Sequence, residues 1–215
     1  MIPHRVVRHE PADITLDSLL LVEGDTPLHF FEAMLQHLRL QDRIEIRSFR
    51  GIGQLRPFLR ALVKSAAFQS RAVTSLGIIR DAETDAARAR QSVLDALSAA
   101  GLAIGESAAV KVSVFILPDD TNPGMLETLC MAAVRDWPET KPAHECVEQF
   151  FECLQRNRVN LPDGLPRAKN EAQAYLATRP EAQLFPGLAA YRGYWPWESR
   201  AFEPVKRFLK SLAAG

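Results

Sequence analysis

The sequence predicts an α/β fold: a central, mostly parallel four-stranded sheet flanked by helices, with additional helices toward the C-terminus. Three observations predict it. Short apolar runs bounded by turn residues recur four times before Pro118, and stretches of helical period lie between them. Beyond Leu126 only helical periodicity remains. The 215 residues, 47% of them hydrophobic, can bury a sizeable core. We expect one domain over 1–215, with a core of about 17–135 and a helical extension of about 136–215 packed on it.

Ser18–Glu23 (SLLLVE) is a continuous apolar run and reads as a buried strand. Gly24 and Asp25 turn the chain, and Thr26-Pro27 offers an N-cap with Pro at the first helical position. Phe30, Phe31, Met34, Leu35 and Leu38 follow at helical spacing. Ile44–Phe49 alternates as a second strand, Gly51-Ile52-Gly53 breaks it, and Pro57–Phe68 reads as a second helix. Ala72–Ile79 is the third strand, closed by Arg80-Asp81, and Thr84–Ala100 is a helix ended by Gly101. Lys111–Leu117 is the fourth strand, stopped by Pro118-Asp119-Asp120. Helices are expected at Leu126–Val134, Ala143–Gln155, Ala168–Ala177 and Ala201–Leu212, separated by the loops NLPDGLPR and YRGYWPWES. Each is too short to hold a core alone, so they should pack on the sheet.

Lys plus Arg numbers 26 and Asp plus Glu numbers 26. A net charge of zero excludes a uniformly basic protein that grips nucleic acid nonspecifically, and the composition excludes collagen, a disordered acidic chain and a disulfide miniprotein. The balance is not uniform along the chain. Residues 10–38 hold six acids and no Lys or Arg, a charge of −6; residues 39–71 sum to +6 and residues 72–127 to −4. Such blocks suit an acidic site beside a basic rim, although solvated helix faces also produce them. Cys130, Cys146 and Cys153 are an odd set without framework spacing, which suggests a reducing compartment. With His144 they lack the close C-x-x-C pair of a zinc site, and Cys146 and Cys153, seven apart, read as a core stripe. The N-terminus has no apolar h-region and Leu19–Val22 is too short to cross a bilayer, so a soluble cytoplasmic protein without a membrane partner is expected. Assembly into a homo-oligomer is compatible with the sequence.

Open α/β sheets bind ligands at the carboxyl ends of their strands, and acids fall there repeatedly. Glu23 ends the first strand, with Asp25 just past it; Asp81 ends the third, followed by Glu83 and Asp85. Asp119 and Asp120 follow the fourth, and Glu127 lies after Thr121-Asn122-Pro123-Gly124. Any one of them fits an exposed loop or a helix start. Gathered together they would repel unless a cation sat among them, and hard oxygen donors suit Mg²⁺ or Mn²⁺ over zinc. Arg56, Arg60 and Lys64, at i, i+4 and i+8 of the second helix, form a one-sided basic stripe that would meet a phosphate backbone or simply face solvent. Arg50, before Gly51-Ile52-Gly53, would meet a phosphate alongside backbone amides. Tyr191, Tyr194, Trp195 and Trp197 would stack on bases or pin the tail to its own domain.

Leu20-Leu21-Val22-Glu23-Gly24-Asp25, followed by Phe30-Phe31-Glu32, resembles the first motif of the TOPRIM domain shared by topoisomerases, bacterial primases, OLD-family nucleases and recombination proteins. Ile78-Ile79-Arg80-Asp81-Ala82-Glu83-Thr84-Asp85 takes the place of its second motif. The likeness is nearest to an uncharacterised family of small stand-alone TOPRIM-like proteins. It continues through Phe115-Ile116-Leu117-Pro118, Gly124-Met125-Leu126-Glu127, Lys169 with Ala174-Tyr175-Leu176, and Trp195-Pro196-Trp197, about residues 17–212. The resemblance implies Glu23 as general acid/base or metal ligand, Asp81 and Glu83 as Mg²⁺ ligands, Glu127 as the further acid of OLD-type sites and Lys169 as the base stabilising developing charge. One departure matters: Asp81-Ala82-Glu83 stands where the pattern has Asp-x-Asp. Glutamate reaches one methylene further, and Asp85, at the same spacing from Glu83, is the alternative ligand.

Such acids with metal ions would cleave or transfer a phosphodiester in DNA, RNA or a nucleotide. Three tyrosines exist and none stands in a topoisomerase-like motif, so hydrolysis is favoured over strand passage. The alternative is a non-catalytic TOPRIM-like module that binds nucleotide, nucleic acid or a partner protein. A generic α/β enzyme on a phosphorylated small molecule is a third reading, but no P-loop or G-x-G-x-x-G follows any strand.

Overall fold

The computed structural model describes residues 14–104 and 110–215. Glu10, Asp13 and Glu106 of the charge blocks, and the N-terminal stretch 1–13, lie outside the described residues. Four parallel strands, β1 (Ser18–Val22), β2 (Ile44–Ser48), β3 (Ser75–Asp81) and β4 (Lys111–Leu117), form one sheet in the order β2-β1-β3-β4. From β1 the chain steps out to β2 through α1 (Asp25–Leu38). It then returns past β1 through α2 (Ile52–Leu62) and α3 (Ala66–Gln69) to β3, and goes on through α4 (Ala86–Ser98) to β4. The direction of winding therefore reverses between β1 and β3, whose carboxyl ends flank the switch point where such sheets bind ligands.

Alternate residues of each strand feed opposite cores. Leu20 and Val22 join Ile79, Phe115 and Leu117 under α1, while Leu19 and Leu21 join Leu76, Ile78, Val114 and Ile116 under α2 and α4. A strand covered on both faces needs an apolar side chain at every position, which is why β1 reads as an unbroken run. The α1 face is completed by α5 (Leu126–Asp136), α6 (Lys141–Arg156), α7 (Gly164–Ala177), α8 (Pro186–Tyr191) and α9 (Glu203–Ala213). Leu129, Val147, Tyr175, Ala189 and Leu209 from these helices share one core with Phe30 and Phe31. Gly77 of β3 lets α9 lie on the sheet: a methyl group there would come within 2.7 Å of Leu212 Cδ2. Among the described residues no helix is long and apolar enough to cross a membrane.

Several expected boundaries move, each for a local reason. α1 begins at Asp25, not after a Thr26 cap, because Gly24 (φ 94°) turns the chain earlier; Pro27 then falls in the first turn, where its missing N–H costs nothing. α2 begins at Ile52 and carries Pro57 inside it, because the Ile52 amide finds an acceptor in Glu23. It also ends at Leu62, so Lys64 lies beyond it and the proposed stripe keeps only Arg56 and Arg60. β3 starts at Ser75 and runs through Arg80 and Asp81. Cys146 and Cys153 face solvent; His144, Val147 and Phe151 form the buried stripe of α6. The loop region expected between the last two helices contains α8 and ends with Trp195 buried, its Nε1 donating to Pro186 O at 2.9 Å. Trp197 packs on Phe30 and Phe202, so both tryptophans pin the tail to the core.

Candidate active site

Register brings the first two acids to the switch point. Val22 pairs with Ile79, so the next positions, Glu23 and Arg80, lie side by side just beyond the end of β1. Glu23 Oε1 accepts from the Ile52 amide at 2.9 Å, at the start of α2. Its Oε2 lies 3.5 Å from Arg80 Nε. Burial raises the Glu23 pKa, opposed by the Arg80 charge and the Ile52 amide, and Glu83 raises it further. Asp81, one residue on, alternates to the other side of the pleat and accepts from the Leu126 amide at 3.0 Å, at the start of α5. Its pKa is pushed up to about 7, first by burial, then by the charges of Glu127 and Glu23, while the Leu126 amide and Lys169 pull it down.

The loop after β3 completes the group. Glu83 sits at φ 55° and exchanges both backbone hydrogen bonds with Gly124, each 2.8 Å, tying this loop to the one before α5. Glu127 stands in the first turn of α5, and Lys169 is on α7 within the field of Asp81. Beneath them Cys130 is fully buried, and its thiol pKa is raised by burial, Glu127 and Asp81, so it is an inert core residue.

Glu23, Asp81, Glu83, Glu127 and Lys169 are thus brought into one electrostatic neighbourhood. Other candidates are employed elsewhere. Asp85 caps α4, accepting from the Arg88 amide at 2.9 Å. Asp119 closes its own turn onto Thr121 and Asn122, and Asp120 pairs with Arg90. Arg50, Arg56, Arg60 and Lys64 are exposed, and Arg50 (φ 56°) lies two residues before the amide that holds Glu23. Sequence reasoning missed Arg80, which is buried behind Glu23, and the two helix-start amides. The available signal is a charged residue at the end of an apolar run, where polarity alone marks the end of the strand that in fact runs on through Asp81.

The donor set suits Mg²⁺ or Mn²⁺ in kind, being hard carboxylate oxygen. Among the described residues, however, no three of His, Cys, Asp or Glu are gathered closely enough to hold one ion. The pleat gives the reason: Glu23 is drawn toward α2 and Asp81 toward α5, on opposite sides of the sheet. Magnesium sites commonly use only one or two protein carboxylates with water and substrate phosphate, and this arrangement offers that number on each side. A concavity of about 530 Å³ at the other end of α5, lined by Ala132, Arg135, Asp136, Arg200 and Ala201, shares no residue with the acids.

Fold and site define an α/β protein of the doubly wound kind with acidic groups at its switch point. The chain belongs to the family described as "Protein of unknown function (DUF3226)", which matches residues 17–214. No curated protein matches it. Among solved structures, three of the C-terminal region of the Xanthomonas campestris pv. campestris OLD protein are similar. The one phased with iodine is 15% identical with a TM-score of 0.40, covering 94% of this chain and 98% of that one. The one phased with platinum is 16% identical with a TM-score of 0.42, covering 93% and 95%.

Proposed function

We propose that the chain is a Mg²⁺- or Mn²⁺-dependent phosphodiesterase that hydrolyses or transfers phosphodiesters in nucleic acid. The observation that carries this is Asp81 at the switch point, pushed up to about 7 first by burial and then by the charges of Glu127 and Glu23. Carboxylates that disfavour one another's ionisation mark a place for positive charge, and strongly perturbed acids at a ligand-binding edge mark functional sites. The motif resemblance to TOPRIM domains points the same way.

Glu23, Asp81, Glu83 and Glu127 are the candidate ligands, one or two of them on either side of the sheet with water and substrate phosphate completing the shell; Asp85 is left out because its carboxylate caps α4. When bound, a divalent ion polarises a phosphoryl oxygen and lowers the pKa of water. Glu23, whose Oε1 accepts from the Ile52 amide and whose Oε2 faces Arg80, would take or give a proton. Lys169 balances negative charge next to Asp81, and Arg50, Arg56, Arg60 and Lys64 supply cations for the backbone of the substrate.

A second reading is favoured by Arg80. Because it already faces Glu23, the site carries an internal cation, and the chain would then be a non-catalytic module binding nucleotide, nucleic acid or a protein. Metal titration separates the two. Wild type should bind Mn²⁺, and Glu23→Gln and Asp81→Asn should each bind it at least tenfold more weakly, about 1.4 kcal/mol. Nicking of supercoiled DNA and degradation of short RNA should appear only with Mn²⁺ or Mg²⁺. Wild type that binds neither ion sinks the catalytic reading and leaves the module.

A further inference from the structure

Spacing alone puts Cys146 and Cys153 on a core stripe, but α6 buries a different face. His144, Val147 and Phe151 are the buried residues of the helix. Cys146 and Cys153 stand in solvent, and Phe150 between them is 53% exposed. The three recur at i, i+4 and i+7 and so form one line along the helix. Gln149 lies beside that line and Asn157 continues it, both exposed, so the line carries no charge from end to end. On an ordinary surface helix the face turned from the core is the charged one. Here the charges stand to one side of the line. Glu145 has only a 3.9 Å contact to Lys141, and the Arg156 side chain has no ion-pair or hydrogen-bond partner among the described residues.

We infer that this face of α6 is a self-association surface, on which a second copy of the chain lays its own α6 antiparallel across a twofold axis next to Phe150. The order of residues argues for a copy over any other partner, because it is close to self-complementary. Counted from Phe150, a cysteine stands four residues before and another three after; a glutamate stands five before and an arginine six after. A twofold axis turns such an order onto its own complement and makes every unlike pair twice. Glu145 then faces Arg156 of the second copy, and the two Phe150 rings meet beside the axis. At about 1.5 Å of rise per residue, the same alignment leaves Cys146 and Cys153 of the second copy about 3 Å apart along the helices, and the two Cys146 residues about 14 Å apart. One helix of sixteen residues spans about 24 Å, a small contact, so the dimer is a weak and reversible one. It uses none of the acids at the switch point.

The test is oxidative cross-linking of the full chain with diamide, which takes two electrons and two protons from a thiol pair and leaves a disulfide. Products are read on non-reducing gels, with a thermal melt of every variant. Wild type should give a covalent dimer; Cys130 is buried and takes no part. Cys146→Ser alone and Cys153→Ser alone should give none, whereas their equal mixture should give dimer, because only unlike cysteines face each other. Glu145→Arg and Arg156→Glu should each slow cross-linking on the order of tenfold by setting like charges together. The double reversal Glu145→Arg/Arg156→Glu should restore the rate. These side chains are exposed, so every variant should melt with wild type. Dimer from either cysteine variant alone, or cross-linking that ignores the charge reversals, overturns the antiparallel contact. Wild type that neither cross-links nor sediments as a dimer at high concentration under reducing conditions overturns self-association altogether and leaves the face to a different partner.

Discussion

Asp81 carries the sharpest consequence at the scale of single residues. Its carboxyl is raised from the ordinary 3.8 to about 7, so the fold favours its protonated form. The stability this group contributes is fully present below about pH 4 and is lost as pH rises through about 7, a loss on the order of 4 kcal/mol. Without divalent ions, wild type should melt roughly 10 °C lower at pH 8 than Asp81→Asn, with the gap closing toward pH 4. Equal melts at both pH values would contradict the raised pKa. Glu23 adds a change of the same sign. Both acids were legible in the sequence because acids recur at the ends of three strands, although any one alone fits a loop or a helix start. Arg80 was not, because a charge at the end of such a run reads as its stop, and only the neighbouring strand reveals its partner.

Among the elements, α8 shows how closely a short helix can govern a site it does not enter. Gly187 lies on the first turn of α1: an added methyl group would come within 2.5 Å of Thr26 O and 2.9 Å of His29 Cβ. The backbone cannot yield as a side-chain tip would, so Gly187→Ala should cost about 1–3 kcal/mol in a denaturant melt. Gly53→Ala, whose methyl group meets open space in α2, should stay within about 0.5 kcal/mol of wild type. Any shift of α1 also loosens Gly24, whose amide donates to Ser48 Oγ at 3.1 Å beside Glu23. The strands and the long helices could be read from periodicity. α8 could not: it has six residues between Pro and Gly punctuation, too few turns to show a period, and it persists because Trp195 and α1 hold it.

For the molecule as a whole, the charge blocks resolve into distinct duties. Arg43 donates to Ala213 O at 2.7 Å and Arg47 pairs with Glu45, so part of the basic block is structural. Arg56 and Arg60 stay exposed on α2. If they track a phosphate backbone, Arg56→Ala with Arg60→Ala should weaken DNA binding and lower its salt slope by about 2, measured by anisotropy across salt concentrations. An unchanged slope would return the stripe to the solvated face. The C-terminal helices are equally part of the whole. Removing residues 200–215 strips Phe202, Val205, Leu209 and Leu212 from the core beside β3, and a chain so shortened should lose its cooperative thermal transition.

By itself, the sequence determined the α/β class, the four strands and the acids at their ends, because strand burial and chain turning are written in local patterns of polarity. Which acids share a field, and which are spent on caps and turns, follows from the assembled sheet and its loops. Strand order places Glu23 and Asp81 at one switch point, the pleat aims them to opposite sides, and the register sets Arg80 against Glu23. Those relations join residues about 60 positions apart, and the energy of charges depends on separation in space, which periodicity along a chain does not record.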